Sequence, residues 1–117
     1  MMEVEIIRRL CLSFPHATED IQWGNDLLFR IYKKIFVGVS LSPSSQGQFS
    51  FKCTPEQFAE LVERDGIIPA PYVARYHWVM VERDEALSVA EFRLFLRNSY
   101  DLVSAKLPAK VRKQLGI

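Results

Sequence analysis

A cysteine and a histidine are the residue types in this sequence best suited to nucleophilic chemistry. Cys53 directly precedes a predicted helix, whose N-terminal dipole favours a thiolate, and His77 lies on a later segment that a sheet could bring near it. Cys53 also continues the alternation of Phe49 and Phe51, which is typical of side chains that point into a core. We therefore predict a buried thiol, and we do not expect the domain to be an enzyme.

Metal and cofactor chemistry finds little support in the sequence. Neither His16 nor His77 has close companions at metal-ligand spacing, and the five glycines are scattered singly, without a phosphate-binding loop. The acidic clusters at 19–20 and 82–85 could bind Mg²⁺, but such clusters are more typical of a solvated surface. We predict no metal site and no cofactor.

The positions of the charges are more informative than their sum. Fifteen basic and 14 acidic residues leave a net charge of +1, and the pI of 7.8 lies below the value of about 9 exceeded by most basic DNA-binding domains. Acidic residues are absent from 27–55 and from 102–117, whereas four of the five charged residues in 56–65 are acidic. Two basic regions on a nearly neutral chain indicate a surface that faces phosphates.

A third segment mixes aromatic and basic side chains. Tyr72, Tyr76 and Trp78 accompany Arg75 and His77, a combination that can stack on bases or hold phosphates. A hydrophobic strand with Trp78 packed inward would explain the same residues, and both interpretations stay open. The candidate nucleic-acid-binding residues from all three regions are Arg30, Lys33, Lys34, Lys52, Arg75, His77, Trp78, Lys106 and Lys110.

Antiparallel strands are expected to position the first group of basic residues. Residues 3–13 have the apolar spacing of an amphipathic helix, and residues 27–32 alternate as a strand after a short extended segment. A tight turn at Lys33–Lys34 leads to a second strand, and a third is predicted at 49–53. Four residues are expected to share one face of the second strand: Ile35, Val37, Val39 and Leu41.

Capping residues mark the later helices. Thr54 and Gln57 form a capping box that opens a helix expected to stop at Gly66, and Ser88 with Glu91 opens a long one. An extended connector held by prolines and a strand over 77–81 are predicted between the two helices. A short helix over 109–115 is expected to close the chain.

The order of these elements favours a two-layer α+β fold over a doubly wound one. The predicted order is approximately α-β-β-β-α-β-β-α, with an antiparallel sheet packed by helices. A length of 117 residues, 49% of them hydrophobic, fits a single domain over 1–117. The sequence has no secretion signal and no apolar run of the roughly 18–20 residues that a membrane span needs, so we expect a cytoplasmic protein without membrane contact.

Several short motifs, in order, resemble the MmcQ/YjbR-like family. They follow almost the whole chain: Phe14–Asp20, Trp23–Gly24, Leu28–Ile31, Lys34–Phe36, Phe51–Glu56, Arg75–Trp78, Ser99–Val103 and Lys106–Pro108. The resemblance implies a compact α+β fold similar to frataxin-like and secretion-chaperone-like arrangements. It also implies a double-wing motif, for which members are labelled DNA-binding, and it attaches no activity, cofactor or substrate to them.

Only a few roles carry over from the resemblance. The family's histidine–tryptophan pair corresponds to His77 and Trp78, and its Ser-Tyr-Asp block to residues 99–101. Family members often have glycines where Lys33–Lys34 stand here, so this turn should be less tight and carry two positive charges. We expect the 99–101 block to hold helix to sheet, with the Tyr100 hydroxyl hydrogen-bonded to neighbours of Asp101 or to Trp23. Contact of this block with a ligand is the alternative.

Two functional hypotheses of different classes follow. The first is a nucleic-acid-binding module with DNA as partner, which contacts mainly phosphates through its basic hairpins. The alternative is a protein-interaction or chaperone-like module, such as a homodimer, without a nucleic-acid role.

Overall fold

The structure, a computed structural model, describes residues 3–117 and confirms a mixed α+β fold. Short 3₁₀ turns at Ala74–Tyr76 and Asp84–Ala86 supplement the main elements. In chain order these are α1 (Val4–Leu12), β1 (Ala17–Gln22), β2 (Asp26–Ile31), β3 (Lys34–Ser40), β4 (Phe49–Lys52), α2 (Pro55–Leu61), β5 (Ile67–Pro69), β6 (Trp78–Val81), α3 (Val89–Ala105) and α4 (Ala109–Leu115).

Six antiparallel strands form one sheet in the order β1-β2-β3-β4-β6-β5. Apolar side chains of all four helices join a single core on one face, which we call the inner face. Cross-strand partners point to the same face of a sheet, so the register assigns each residue to a side. One row on the inner face is Phe29, Val37, Phe51 and Val79; the neighbouring row on the opposite, outer face is Leu28, Gly38, Ser50 and Met80.

Aromatic rings fill the inner face. The ring of Phe51 stacks on Phe95 of α3 with centroids 5.7 Å apart, and Phe49 meets Phe92 edge-on at 5.8 Å. Such offset and edge-to-face pairs add to the free energy of burial itself. Helix α3 is therefore held along the length of β4.

A β-bulge corrects the predicted face of β3. Phe29 pairs with Val37 but Arg30 pairs with Ile35, so Phe36 is an extra residue in the ladder. An extra residue inverts the alternation on one side of the bulge. The prediction that Ile35 shares a face with Val37 is therefore wrong: Ile35 lies on the outer face with Arg30, while Phe36 is fully buried.

Local capping signals were reliable, whereas some element ends were not. Both capping boxes are confirmed, at Thr54 with Gln57 and at Ser88 with Glu91. Helix α2 ends at Leu61, well before Gly66, and the predicted connector after it contains the additional strand β5. Within residues 3–117, no helix is both long and apolar enough to cross a membrane.

The β2–β3 turn consists of Tyr32 and Lys33, one residue earlier than predicted. Strand β2 ends at Ile31, and Lys34 already pairs with it as the first residue of β3. Tyr32 has a φ of 59°, in the left-handed region that a first turn position of this kind normally gives to glycine. The two lysines still stand at the tip of the hairpin.

Candidate nucleic-acid interface

Strand direction gathers the predicted basic residues at one end of the sheet, which we call the hairpin end. Strands β2 and β4 finish there, and β3 and β6 begin there. This end therefore carries Lys33–Lys34, Lys52 and the 75–78 segment. Helix α3 finishes at the same end, because Ser99 in its second half bonds to the backbone of Lys52. Lys106, the C-cap of α3, is thereby added to the group.

Lys52 lies at the centre of this basic group. It pairs with Trp78 on the outer face, and its Nζ donates a hydrogen bond to the Tyr76 carbonyl at 2.6 Å. Partial burial lowers the pKa of Lys52, and repulsion from the Lys106 ammonium lowers it further. An anion beside these ammonium groups would relieve that repulsion.

Arg30 differs from the other candidates because its guanidinium is already engaged. Its Nε donates to the Asp20 carboxylate at 2.9 Å, and Nη1 donates to the Lys33 carbonyl at 3.1 Å. Only 21% of the side chain is exposed. Arg30 therefore fastens the hairpin turn that presents Lys33, and it brings a partly neutralised charge to the outer face.

The 75–78 segment presents a cation beside exposed rings. The Arg75 guanidinium lies 4.8 Å from the centroid of the Tyr76 ring, and both side chains are exposed. Trp78 is half-buried on the outer face, so the interpretation that it packs inward is wrong. Lys110 is also exposed, on the first turn of α4, which follows Lys106 after a proline.

His77 contacts Cys53 through its backbone. The His77 carbonyl accepts hydrogen bonds from the Cys53 amide at 2.9 Å and from its Sγ at 3.3 Å, while the imidazole packs edge-on against Phe58. Burial raises the pKa of the Cys53 thiol to about 11. The predicted buried thiol is confirmed, and its protonated form donates to the carbonyl.

Acidic residues collect at the opposite end of the sheet. Glu82 and the turn Asp84–Ala86 directly follow β6 there. The nearby Arg83 is paired with the carboxylates of Asp65 and Glu85. Basic residues at the hairpin end and acidic residues at this end thus contribute opposite charges to the net charge of +1.

The block at 99–101 fastens α3 to the sheet. The Ser99 hydroxyl donates to the Phe36 carbonyl at 2.6 Å and accepts from the Lys52 amide at 2.9 Å, bridging β3 and β4 at the bulge. Tyr100 donates its hydroxyl to the Pro15 carbonyl at 2.6 Å, so its predicted partners were wrong. Asp101 pairs with Arg97. The predicted structural role is confirmed for this block.

The sequence did not identify a groove on the outer face. Its volume is about 600 Å³, and its lining includes Trp23, Leu28, Tyr72, Trp78 and Met80. Trp23 and Tyr72 are absent from the predicted site although their side chains are 74% and 98% exposed. A Trp-Gly pair was the available signal, since the glycine indicated the turn on which the tryptophan stands.

Comparison of the sequence with protein families and comparison of the fold with solved structures agree with each other. Residues 12–102 match the model of the family described as YjbR. A crystal structure of a Deinococcus radiodurans protein with a DUF419 domain is similar over 100% of this chain and 90% of its own, with a TM-score of 0.86 and 27% identity. A Pseudomonas syringae structure shares the fold over 86% of this chain and 98% of its own, with a TM-score of 0.71 and 20% identity. None of the curated proteins matches the chain significantly.

Proposed function

The chain belongs to the YjbR family, and we propose that its basic hairpin end binds nucleic acid, mainly through phosphate contacts. The observation that carries the proposal is the convergence of basic residues at one end of the sheet, namely Lys33, Lys34, Lys52 and Lys106. When a polyanion binds ammonium groups that repel one another at an accessible surface, their electrostatic repulsion is offset, which favours binding.

The neighbouring side chains support a phosphate-binding surface. Lys33 and Lys34 are exposed at the hairpin tip, and Arg75 adds a planar guanidinium beside the Tyr76 ring. Contacts of this kind position a nucleic-acid backbone and carry little sequence information. We therefore expect low sequence selectivity.

We further propose that the domain is a binding module and not an enzyme. The thiol that stood as the candidate nucleophile has a pKa of about 11, and its hydrogen bond goes to a backbone carbonyl. A thiol in this state is a poor nucleophile at neutral pH.

A salt-resolved anisotropy titration with labelled duplex DNA tests nucleic-acid binding. If about four to six phosphates are neutralised, log K should fall with log salt with a slope near −4 to −5. The double variant Lys33→Glu/Lys34→Glu should weaken binding strongly and flatten the slope. Absence of binding below roughly 100 μM at low salt would refute the proposal.

A matched control separates a local effect from a change in net charge. Arg9→Glu/Arg93→Glu alters the net charge by the same amount, but on exposed positions of α1 and α3. Binding by this variant should change much less than binding by the hairpin variant. Equal losses in both would show that only the overall charge matters and that the hairpin end is not the interface.

A further inference from the structure

The outer-face groove has the size and the side chains of a ligand site. Its volume of about 600 Å³ falls within the range of about 300–1,000 Å³ that is typical of such sites. Leu28, Gly38, Ser50 and Met80 form a row across β2, β3, β4 and β6 beneath it. Its aromatic members are Trp23, Tyr72 and Trp78, which include both tryptophans of the chain.

Two of these aromatic residues have left-handed backbone conformations, one in the β1–β2 turn and one in the segment before β6. Trp23 has a φ of 52° and Tyr72 a φ of 69°, in the left-handed region that bulky residues avoid. Both side chains are mostly exposed, so they gain little burial in return. Strained backbone conformations cluster at ligand sites, and two of them border this groove.

Gly38 keeps the floor of the groove open without a conformational need for glycine. A Cβ at this position would lie 3.5 Å from Leu28 Cδ2, an ordinary van der Waals contact, and the φ of Gly38 lies outside the left-handed region. A larger residue would therefore be tolerated by the backbone. Its side chain would occupy the groove, because Gly38 pairs with Leu28 on the outer face.

We propose that this groove binds unpaired bases of a single-stranded nucleic acid, which rests on the proposed function because the same hairpin-end lysines hold its phosphates. Aromatic side chains beside a basic track are the means by which proteins bind single strands, since every base has a face that can stack. Lys52 is the cross-strand partner of Trp78, so a cation stands directly beside the aromatic wall. A duplex, whose bases are stacked within it, reaches only the lysines.

The charge at the hairpin end of this face favours a nucleic acid over a protein partner, while Asp26, the one charged residue among those that line the groove, stands at the opposite end of β2. Lysine is depleted from the centres of protein–protein interfaces. Here Lys52 lies on the same face as the groove, and the Lys106 ammonium at the end of α3 repels the Lys52 ammonium. A polyanion with flat apolar bases complements both features.

The test compares a labelled oligothymidylate of about 12 nucleotides with a duplex of the same length at low salt. The single strand should bind about tenfold more tightly or better. Both tryptophans line the groove, so their intrinsic fluorescence should change on binding of the single strand and change little on binding of the duplex.

Variants within the groove should affect only the single strand. Trp23→Asn and Tyr72→Asn, which place a residue that tolerates positive φ at each position, should each weaken oligothymidylate binding by about fivefold to a hundredfold. Gly38→Val should do the same by filling the floor. Leu94→Ala removes an exposed apolar side chain on α3 and should leave both affinities unchanged.

The outcomes separate this inference from the proposed function. Duplex binding with equal or weaker binding of the single strand, or single-strand binding that is insensitive to Trp23→Asn, overturns the inference alone. Loss of binding to both probes overturns both proposals. If light scattering shows a homodimer and dimer formation alters tryptophan fluorescence, the groove is a protein interface and the inference is wrong.

Discussion

The two faces of the sheet differ in how their apolar residues are used. On the inner face, Phe29, Phe36, Phe49 and Phe51 are at most 1% exposed, and the rings of α3 pack against them. On the outer face, apolar residues line an open groove, and Trp23 and Tyr72 extend into solvent. Both faces arise from the same strands, one residue apart.

This difference indicates that the inner face serves folding and that the outer face serves another purpose. Close packing and full burial explain the inner face, because they maximise the free energy of folding. The outer face combines exposed rings, which gain little free energy on folding, with left-handed backbone at Trp23 and Tyr72, which costs free energy. Residues that cost stability where they stand point to a role in binding.

The largest effect is expected where α3 meets the inner side of the sheet. Ser99→Ala would leave the Phe36 carbonyl and the Lys52 amide without the hydroxyl that bridges them. Because buried backbone groups that lose their partners are costly, the free energy of unfolding should fall by about 2 kcal/mol or more. Urea denaturation measures this change.

Ser104→Ala is the matched control for Ser99→Ala. This second buried serine of α3 bonds only within its own helix, to the Asp101 carbonyl at 3.2 Å. Its loss should change the free energy of unfolding by less than about 0.5 kcal/mol. If both variants are equally stable, the bridge at the bulge does not hold the two layers together.

A smaller, pH-dependent effect is expected within the helix layer. Arg64 follows α2 and donates to Glu91 of α3 at 2.7 Å. This hydrogen bond, followed by the one from the Ser88 amide, lowers the pKa of Glu91 from 4.5 to about 2. A depressed folded-state pKa stabilises the protein above about pH 4.5, and the contribution disappears as the pH falls towards 2. Since a third of the side chain is exposed, solvent screening reduces it to about 1 kcal/mol.

Glu91→Gln tests this contribution because glutamine can retain the capping box. The variant should be less stable than the natural chain at pH 7, and the two should converge near pH 2 in denaturation measurements. Glu60→Gln removes the more exposed carboxylate from the same Arg64 and should cost less. A difference that persists unchanged at pH 2 would exclude the ion pair as its source.

Most of the fold could be predicted because its signals are local. The boxes at Thr54 and Ser88 depend on residues three positions apart, and the alternation of β4 is visible within the strand. The bulge at Phe36 could not be found, since its neighbours are all apolar and alternation has no contrast there. Strand β5 exists through its pairing with β6, which is a non-local contact.

The candidate interface was predictable in composition but not in arrangement. The acid-free segments identified Lys33, Lys52 and Lys106, but their convergence depends on the direction of each strand and on where α3 ends. The importance of Trp23 and Tyr72 depends on turn geometry and exposure, which composition does not encode. The outer groove therefore emerged only from the assembled sheet.

The smallest expected effect is the most direct test of the contrast between the faces. Trp23→Asn places a residue that tolerates positive φ where a strained, 74% exposed tryptophan stands. Little burial is lost, so the free energy of unfolding should stay unchanged or rise by up to about 1 kcal/mol. The control Ile21→Asn, at an exposed strand residue without positive φ, should instead lower it slightly. If Trp23→Asn destabilises the protein more than Ile21→Asn does, Trp23 serves the fold and the two faces are not functionally distinct. If Trp23→Asn is the less destabilising variant, the tryptophan stands at a position where it does not favour stability, as a binding role predicts.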